Sequence, residues 1–275
     1  MKIAYTSWTW IKSGDPGTAK SQLADSFREL KFLGYDYIEN FSFIADYYDD
    51  PRELVDLQER YGVRLINLYG HFDFDIEGSI ARCKKQIDFL AAIGGKYFNC
   101  QNNGFGDGGP TERPTDQRMI DATCAIANEL GKYAKGQDVK LCFHPHYGTC
   151  VFSESDIDAF AKGTDPEYVY FCIDTAHTFV AGMNPAKTIK RYGDRIGYIH
   201  LKDVDSLTLS KASGSAKMWS FRALGEGNIC FPEVKEALTE IGYDGVLCVE
   251  LDNPRICNYQ SAETSRKYIK SVLGL

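Results

Sequence analysis

The chain of 275 residues carries nine cysteines but no C-x-x-C pair, no cluster of Lys and Arg, and no glycine-rich turn after its first apolar run. It also lacks any apolar stretch approaching the roughly 20 residues that span a bilayer. Each absence excludes something. Cysteines in odd number, with Cys142, Cys172 and Cys248 inside apolar runs, predict reduced, buried thiols and therefore the cytosol. A formal charge of −7 and a pI near 5.3 leave no electrostatic footprint for DNA or RNA, and favour a small uncharged or weakly anionic ligand. The run Met1-Lys2-Ile3-Ala4-Tyr5-Thr6 is too soon interrupted for a signal peptide, so a cytoplasmic protein with no membrane segment is expected. Ser7-Trp8-Thr9-Trp10 is nothing like the phosphate-binding turn of a doubly wound dinucleotide fold.

What is present is a regular alternation. A chain that is 44% hydrophobic and 25% charged suits one large core, and a single domain over 1–275 is expected. Runs rich in Val, Ile, Tyr, Phe and Cys predict strands over 2–6, 35–39, 63–69, 96–100, 139–144, 168–174, 196–201 and 246–250, eight in all. Between them, Leu23, Phe27 and Leu30 share a helical face before Gly34, and Val234, Leu238 and Ile241 do so before Gly242. Tyr268, Ile269 and Val272 are expected to share the inner face of a closing helix. Strand first and helix last, eight times over, is the order of an α/β protein of the (β/α)8 TIM-barrel class. Two connections exceed the rhythm, 101–115 and 202–227. Both leave a strand's C-terminal end, where loops wall or cover an active site.

All five histidines, His71, His144, His146, His177 and His200, fall at or just past predicted strand ends, and none inside a predicted helix. Asp174 and Glu250 close two further runs. His144, Asp174, His200 and Glu250 thus stand at the ends of strands five to eight. Neighbouring strands lie about 4.8 Å apart, so side chains from their ends can meet on one cation. Two imidazoles and two carboxylates suit Mn²⁺, favoured here, or Co²⁺, Fe²⁺, Zn²⁺ or Mg²⁺, better than Ca²⁺.

The stretches Leu141-Cys142-Phe143-His144-Pro145-His146, Cys172-Ile173-Asp174-Thr175-Ala176-His177, Ile199-His200-Leu201-Lys202-Asp203, Gly225-Glu226-Gly227-Asn228-Ile229 and Leu247-Cys248-Val249-Glu250 resemble the signatures of the xylose isomerase-like TIM-barrel superfamily. That superfamily includes sugar-phosphate isomerases and epimerases, keto-sugar epimerases, inosose dehydratase and dehydroshikimate dehydratase. The resemblance implies that Asp174, His200 and Glu250 ligate a divalent metal, with His177 and Lys202 lining the substrate pocket. The fourth family ligand is usually a Glu followed two positions later by a His. Here the pair is His144 and His146, which resembles the inosose dehydratase branch, as do Gly148-Thr149. In the epimerases two metal-bound carboxylates, on strands five and eight, exchange a proton at one carbon. With His144 in place of one of them, elimination is the expected chemistry. A keto-cyclitol or keto-sugar would lose a proton beside its carbonyl, to His146 or else His177, through a metal-stabilised enediolate. A protonated group, Lys202 or a histidine, would then discharge water or an alcohol.

Blander roles stand beside these. His177 fits equally a helix start that orients a ligand. Glu39 and His71 are candidate substrate contacts, but each also fits a rim pair or a loop hydrogen bond. Trp8 and Trp10 either wall a sugar's apolar face or simply pack. Lys202 and Asp203 could pair with each other, and Arg222 is either an anion contact or solvated. Gly225-Glu226-Gly227 lacks the context of a phosphate loop. An isomerase or epimerase with Glu250 as metal-bound base is the alternative enzyme, a sugar-binding barrel the non-catalytic one. An apurinic endonuclease needs more His and Glu ligands and a basic groove. A homo-oligomer stays open, because barrel surfaces associate without a readable motif.

Overall fold

The computed structural model of the protein describes residues 1–73, 75–102 and 116–275. Eight parallel strands close into a barrel: β1 Lys2–Thr6, β2 Tyr37–Phe41, β3 Arg64–Phe72, β4 Tyr97–Asn102, β5 Lys140–Phe143, β6 Val169–Asp174, β7 Ile196–Leu201 and β8 Val246–Val249. β8 pairs with β1, so the sheet has no free edge. Helices such as Pro16–Phe32, Ile76–Ala92, Gln117–Gly136 and Phe231–Glu240 ring it. The first of these opens on Asp15, whose carboxylate accepts from Thr18 N–H, with Pro16 at the first position; Gly34 and Gly242, both at positive φ, end the expected turns.

Strand alternation sorts the core into two. Outward residues such as Phe143, Phe171, Ile199, Leu201 and Val249 join the large cluster beneath the helices. Phe143 stacks on Phe160 of helix Glu154–Gly163 with ring centroids 4.1 Å apart. Truncating such an aromatic costs about 3–5 kcal/mol. Inward residues Ala4, Ile66, Cys142, Cys172, Tyr198, Val246 and Cys248 form a smaller cluster.

The differences from expectation have local causes. β2 begins at Tyr37 rather than at 35 because the Tyr35 ring is buried and its hydroxyl donates to the Ala262 carbonyl. β3 runs on to Phe72, which places His71 inside the strand, and His177 sits within a short helix, Thr175–Val180. Helix Asn258–Tyr268 passes into a π-turn, Ile269–Leu273. Its wider winding brings Leu273 under Ile269 and turns Val272 out to 49% exposure. Seven cysteines are buried as expected, but Cys230 and Cys257 are exposed; all nine are free thiols. No helix among the described residues is long and apolar enough to cross a membrane. The connection after β7 is structured: Asp203–Val204 pairs antiparallel with Phe221–Arg222, enclosing helix Ser206–Lys211 and a 3-10 segment, Gly214–Ser220. Of the other long connection, 103–115 lie outside the described residues.

Candidate metal centre

The same alternation builds the site. Cys142, Cys172, Tyr198 and Cys248 point into the barrel, so residues two further on, His144, Asp174, His200 and Glu250, point inward as well, one layer higher. Register brings them level: His200 lies opposite Asp174 on one side and Cys248 on the other. All four are buried.

Each carries an atom with nothing to bond. Asp174 caps the helix that follows it, its Oδ1 accepting from Ala176 N–H at 2.6 Å and His177 N–H at 2.9 Å, which leaves Oδ2 over. Asp174 Oδ2, both His144 nitrogens, His200 Nδ1 and Glu250 Oε2 are buried without a hydrogen-bond partner among the described residues. Asp174 Oδ2 stands 3.6 Å from His144 Nε2 and 4.0 Å from His200 Nδ1. His200 Nδ1 comes within 2.5 Å of Glu250 Oε2, close enough for an ion pair yet outside hydrogen-bond direction. One ligand atom from each of the four lies within 4.8 Å of all the others. Ligands at roughly 2.0–2.3 Å from a common ion stand about 3–4.6 Å apart, so the set is near that spacing and the His200 and Glu250 atoms would have to separate slightly. Orphaned polar atoms on four side chains, one from each converging in a buried space, fit a divalent cation, which would offset their desolvation alongside the Lys202 ammonium 3.5 Å from Asp174 Oδ2.

The electrostatics agree. Burial opposes positive charge on His200, but the Cys172 sulfur, Glu39 and Glu250 outweigh it and push the imidazole well above its ordinary range. Burial likewise works against the Asp174 carboxylate, yet Lys202, His177 and His144 hold it well below the usual value. Lys202 is fully buried, its Nζ donating to Glu250 Oε1 at 2.6 Å and Asp252 Oδ2 at 3.0 Å, with Asp174 Oδ2 at 3.5 Å. Burial would lower it, but Asp252, Glu250 and Asp174 raise it above the ordinary lysine range. It does not pair with Asp203. That carboxylate accepts the backbone N–H groups of Val204, Gly225, Gly227 and Ile229, so Gly225-Glu226-Gly227 is a loop folded round Asp203.

His146 and His177 lie beside the cluster with ring centroids 3.8 Å apart. One residue sets both tautomers. His146 Nδ1 is 2.7 Å from the Tyr147 carbonyl and must donate to it, which leaves Nε2 an acceptor; His177 Nδ1 accepts from Tyr147 N–H at 3.3 Å, which puts its proton on Nε2. Burial first, then His144 and Lys202, lower His146 to about 3, and burial with His146 lowers His177, so both are neutral near pH 7.

The remaining candidates separate. Glu39 is no rim residue. It is fully buried, its carboxylate oxygens 3.0 and 3.1 Å from His200 Nε2, with Asn67 of β3 and Asn99 of β4 donating to it. His71 is half-buried between Phe41 and Tyr69, and burial, His144 and Arg82 lower it to about 4. Trp8 stacks on Phe41 at 4.3 Å while its Nε1 donates to Asp252 Oδ1; Trp10 packs on Tyr5 and donates to Glu29. The Arg222 guanidinium is engaged by Asp205, Thr208 and the carbonyls of Trp219 and Phe221. Sequence reasoning missed Asp252 and Tyr147. Asp252 stands two residues past Glu250, the same inward step that marks the ligands, whereas Tyr147 acts through its backbone and leaves no side-chain signal.

Residues 27–272 match the model of the family described as xylose isomerase-like TIM barrel. An inosose dehydratase of Geobacillus kaustophilus is 28% identical over 302 aligned positions, covering 99% of this chain and 95% of that protein. One of Clostridium tetani is 32% identical over 208, covering 70% of each. Among solved structures, the IolI protein with a binding zinc atom superposes with a TM-score of 0.77 at 20% identity, covering 100% of this chain and 98% of that one. A D-allulose 3-epimerase from Methylomonas sp. also gives 0.77, at 19% identity over 98% and 97%. At such identities these two show a common fold.

Proposed function

The chain belongs to the xylose isomerase-like TIM-barrel family and is an enzyme of the dehydratase or isomerase/epimerase type, and we propose that it dehydrates a keto-cyclitol or keto-sugar. The observation that carries this is the β5 end, which offers His144 where a symmetrical proton exchange needs a second carboxylate, with His146 and His177 held beside it in opposite tautomers. The relatives named inosose dehydratase favour the same chemistry.

His144, Asp174, His200 and Glu250 hold the divalent ion, with Mn²⁺ the favoured occupant of such a nitrogen and oxygen set. When bound, it supplies Lewis-acid polarisation of a substrate carbonyl. His146 Nε2, unprotonated, takes the proton from the carbon beside that carbonyl. His146 then gives that proton to the departing β-hydroxyl, and water leaves. The electron pair of the broken C–H bond becomes the new C=C bond, and the C–O pair departs with the oxygen. His177 Nε2–H, buried and otherwise unpartnered, orients that hydroxyl. Lys202 is engaged by three carboxylates, and its part is to hold Glu250 and Asp174 in their ionised form.

The test is NMR in D2O, with Mn²⁺-supplemented enzyme and a panel of inososes, ketoses and 3-keto-glycosides. Loss of water with a new conjugated double bond is the expected result. Recovered ketose carrying solvent deuterium, with no double bond, would replace dehydration by epimerisation with Glu250 as the base.

A further inference from the structure

The Glu39 side chain is fully buried, and among the described residues the imidazole it meets is that of His200. A buried carboxylate is costly unless it is paired and hydrogen-bonded, and here the His200 ring and two amides meet it. Three side chains fix its direction. Asn67 Nδ2 donates to Oε2 at 3.1 Å and Asn99 Nδ2 at 3.3 Å, and the Asn67 amide oxygen in turn accepts from Asn99 N–H. Both oxygens then meet His200 Nε2, at 3.0 and 3.1 Å. With an ion at Nδ1, the one proton left on His200 would lie on Nε2, where this contact needs it, and the Nδ1 side of the ring faces Asp174, Glu250 and His144.

We infer that Glu39 is a positioning residue of the metal centre, acting through His200: it fixes the tautomer and the ring orientation and strengthens Nδ1 as a donor to the ion. The inference rests on the divalent-metal reading of the cluster and adds to it a residue from the opposite side of the barrel. An imidazole whose distal N–H is bound to a carboxylate is a better ligand than one bound to water, and loss of such a partner typically weakens metal affinity about 10–100-fold.

The measurement is calorimetric titration of Mn²⁺ into chelator-treated protein, for the wild type, E39Q, H200A and E39Q/H200A, with far-UV circular dichroism to establish that each is folded. E39Q should bind Mn²⁺ about 10–100-fold more weakly than the wild type. In the H200A background the same substitution should change affinity by less than about twofold, because the route through His200 is already gone. E39D, which keeps the charge on a shorter arm, should show a smaller loss, and it replaces E39Q should the latter fail to fold. Wild-type affinity in E39Q or E39D, or an equal loss with and without His200, overturns the role of Glu39 while leaving the metal centre standing. A wild-type protein that binds no Mn²⁺, Co²⁺ or Zn²⁺ overturns the metal centre first and this inference with it.

Discussion

Lys202 Nζ lies 2.6 Å from Glu250 Oε1, a lysine with no exposed surface bonded to a carboxylate at the barrel mouth. Asp252 and Asp174 complete its surroundings, so one ammonium serves three acidic groups. Replacing it by Met removes the cation and leaves the carboxylates to repel one another. Lys202→Met should lower unfolding free energy by about 3–5 kcal/mol in chelated protein. Saturating Mn²⁺ should recover part of that loss, because the ion offsets two of the same carboxylates. Urea titrations with and without metal decide it; a loss that Mn²⁺ does not reduce would separate Lys202 from the metal centre.

His146 is set apart from the ligands by its hydrogen bond to the Tyr147 carbonyl. His146→Ala should therefore abolish turnover while metal content stays near one ion per chain, measured by elemental analysis. A general base is typically worth about 10²–10⁴ in rate. If the variant keeps both turnover and metal, the proton passes elsewhere.

The barrel itself was legible in the sequence, because eight β-rich runs separated by helical stripes leave few other arrangements. The convergence of His144, Asp174, His200 and Glu250 was legible for the same reason. Cys142, Cys172, Tyr198 and Cys248 mark the inward face, and a step of two from each reaches a metal-capable side chain. Glu39 follows a different logic. Its position on β2 suggested the rim, but the register shift between Ile38 and Glu39 against β3 and the amides of Asn67 and Asn99 turn it toward His200 from across the interior, a contact 161 residues away in sequence. The ion pair of Arg222 with Asp205 was not legible, because Asp205 caps a short helix, Ser206–Lys211, inside a connection that no strand or helix pattern announces. The π-turn at Ile269–Leu273 was hidden for a similar reason, since its apolar residues fit an α-helical face as well as a π one.

His71 makes acid stability testable. Its folded value is lowered to about 4, below the ordinary 6.5, so between those limits the unfolded chain binds the proton more readily than the folded one. Stability contributed by keeping this ring neutral is therefore complete above pH 6.5 and is lost as pH falls toward about 4. In chelated protein, His71→Gln should flatten the dependence of unfolding free energy on pH across that interval by up to one proton. Urea melts at several pH values from 4 to 7 measure the slope. An unchanged slope would mean that the half-buried ring takes up its proton in the native state as easily as in water.

Asp174 does two jobs with two oxygens, and substitution can separate them. Oδ1 caps the helix Thr175–Val180 through Ala176 and His177 N–H, while Oδ2 faces His144 and His200. Asn keeps an oxygen for the cap but loses the charge that an ion would meet; Ala loses both. Asp174→Asn should weaken Mn²⁺ binding strongly while the metal-free protein unfolds near the wild-type midpoint. Asp174→Ala should bind as poorly and lose about a further 1 kcal/mol of stability without metal, the usual worth of an N-cap. The metal-free comparison decides the cap and the titration decides the ligand. Equal Mn²⁺ affinity in wild type and Asp174→Asn would leave the helix cap as the residue's whole purpose.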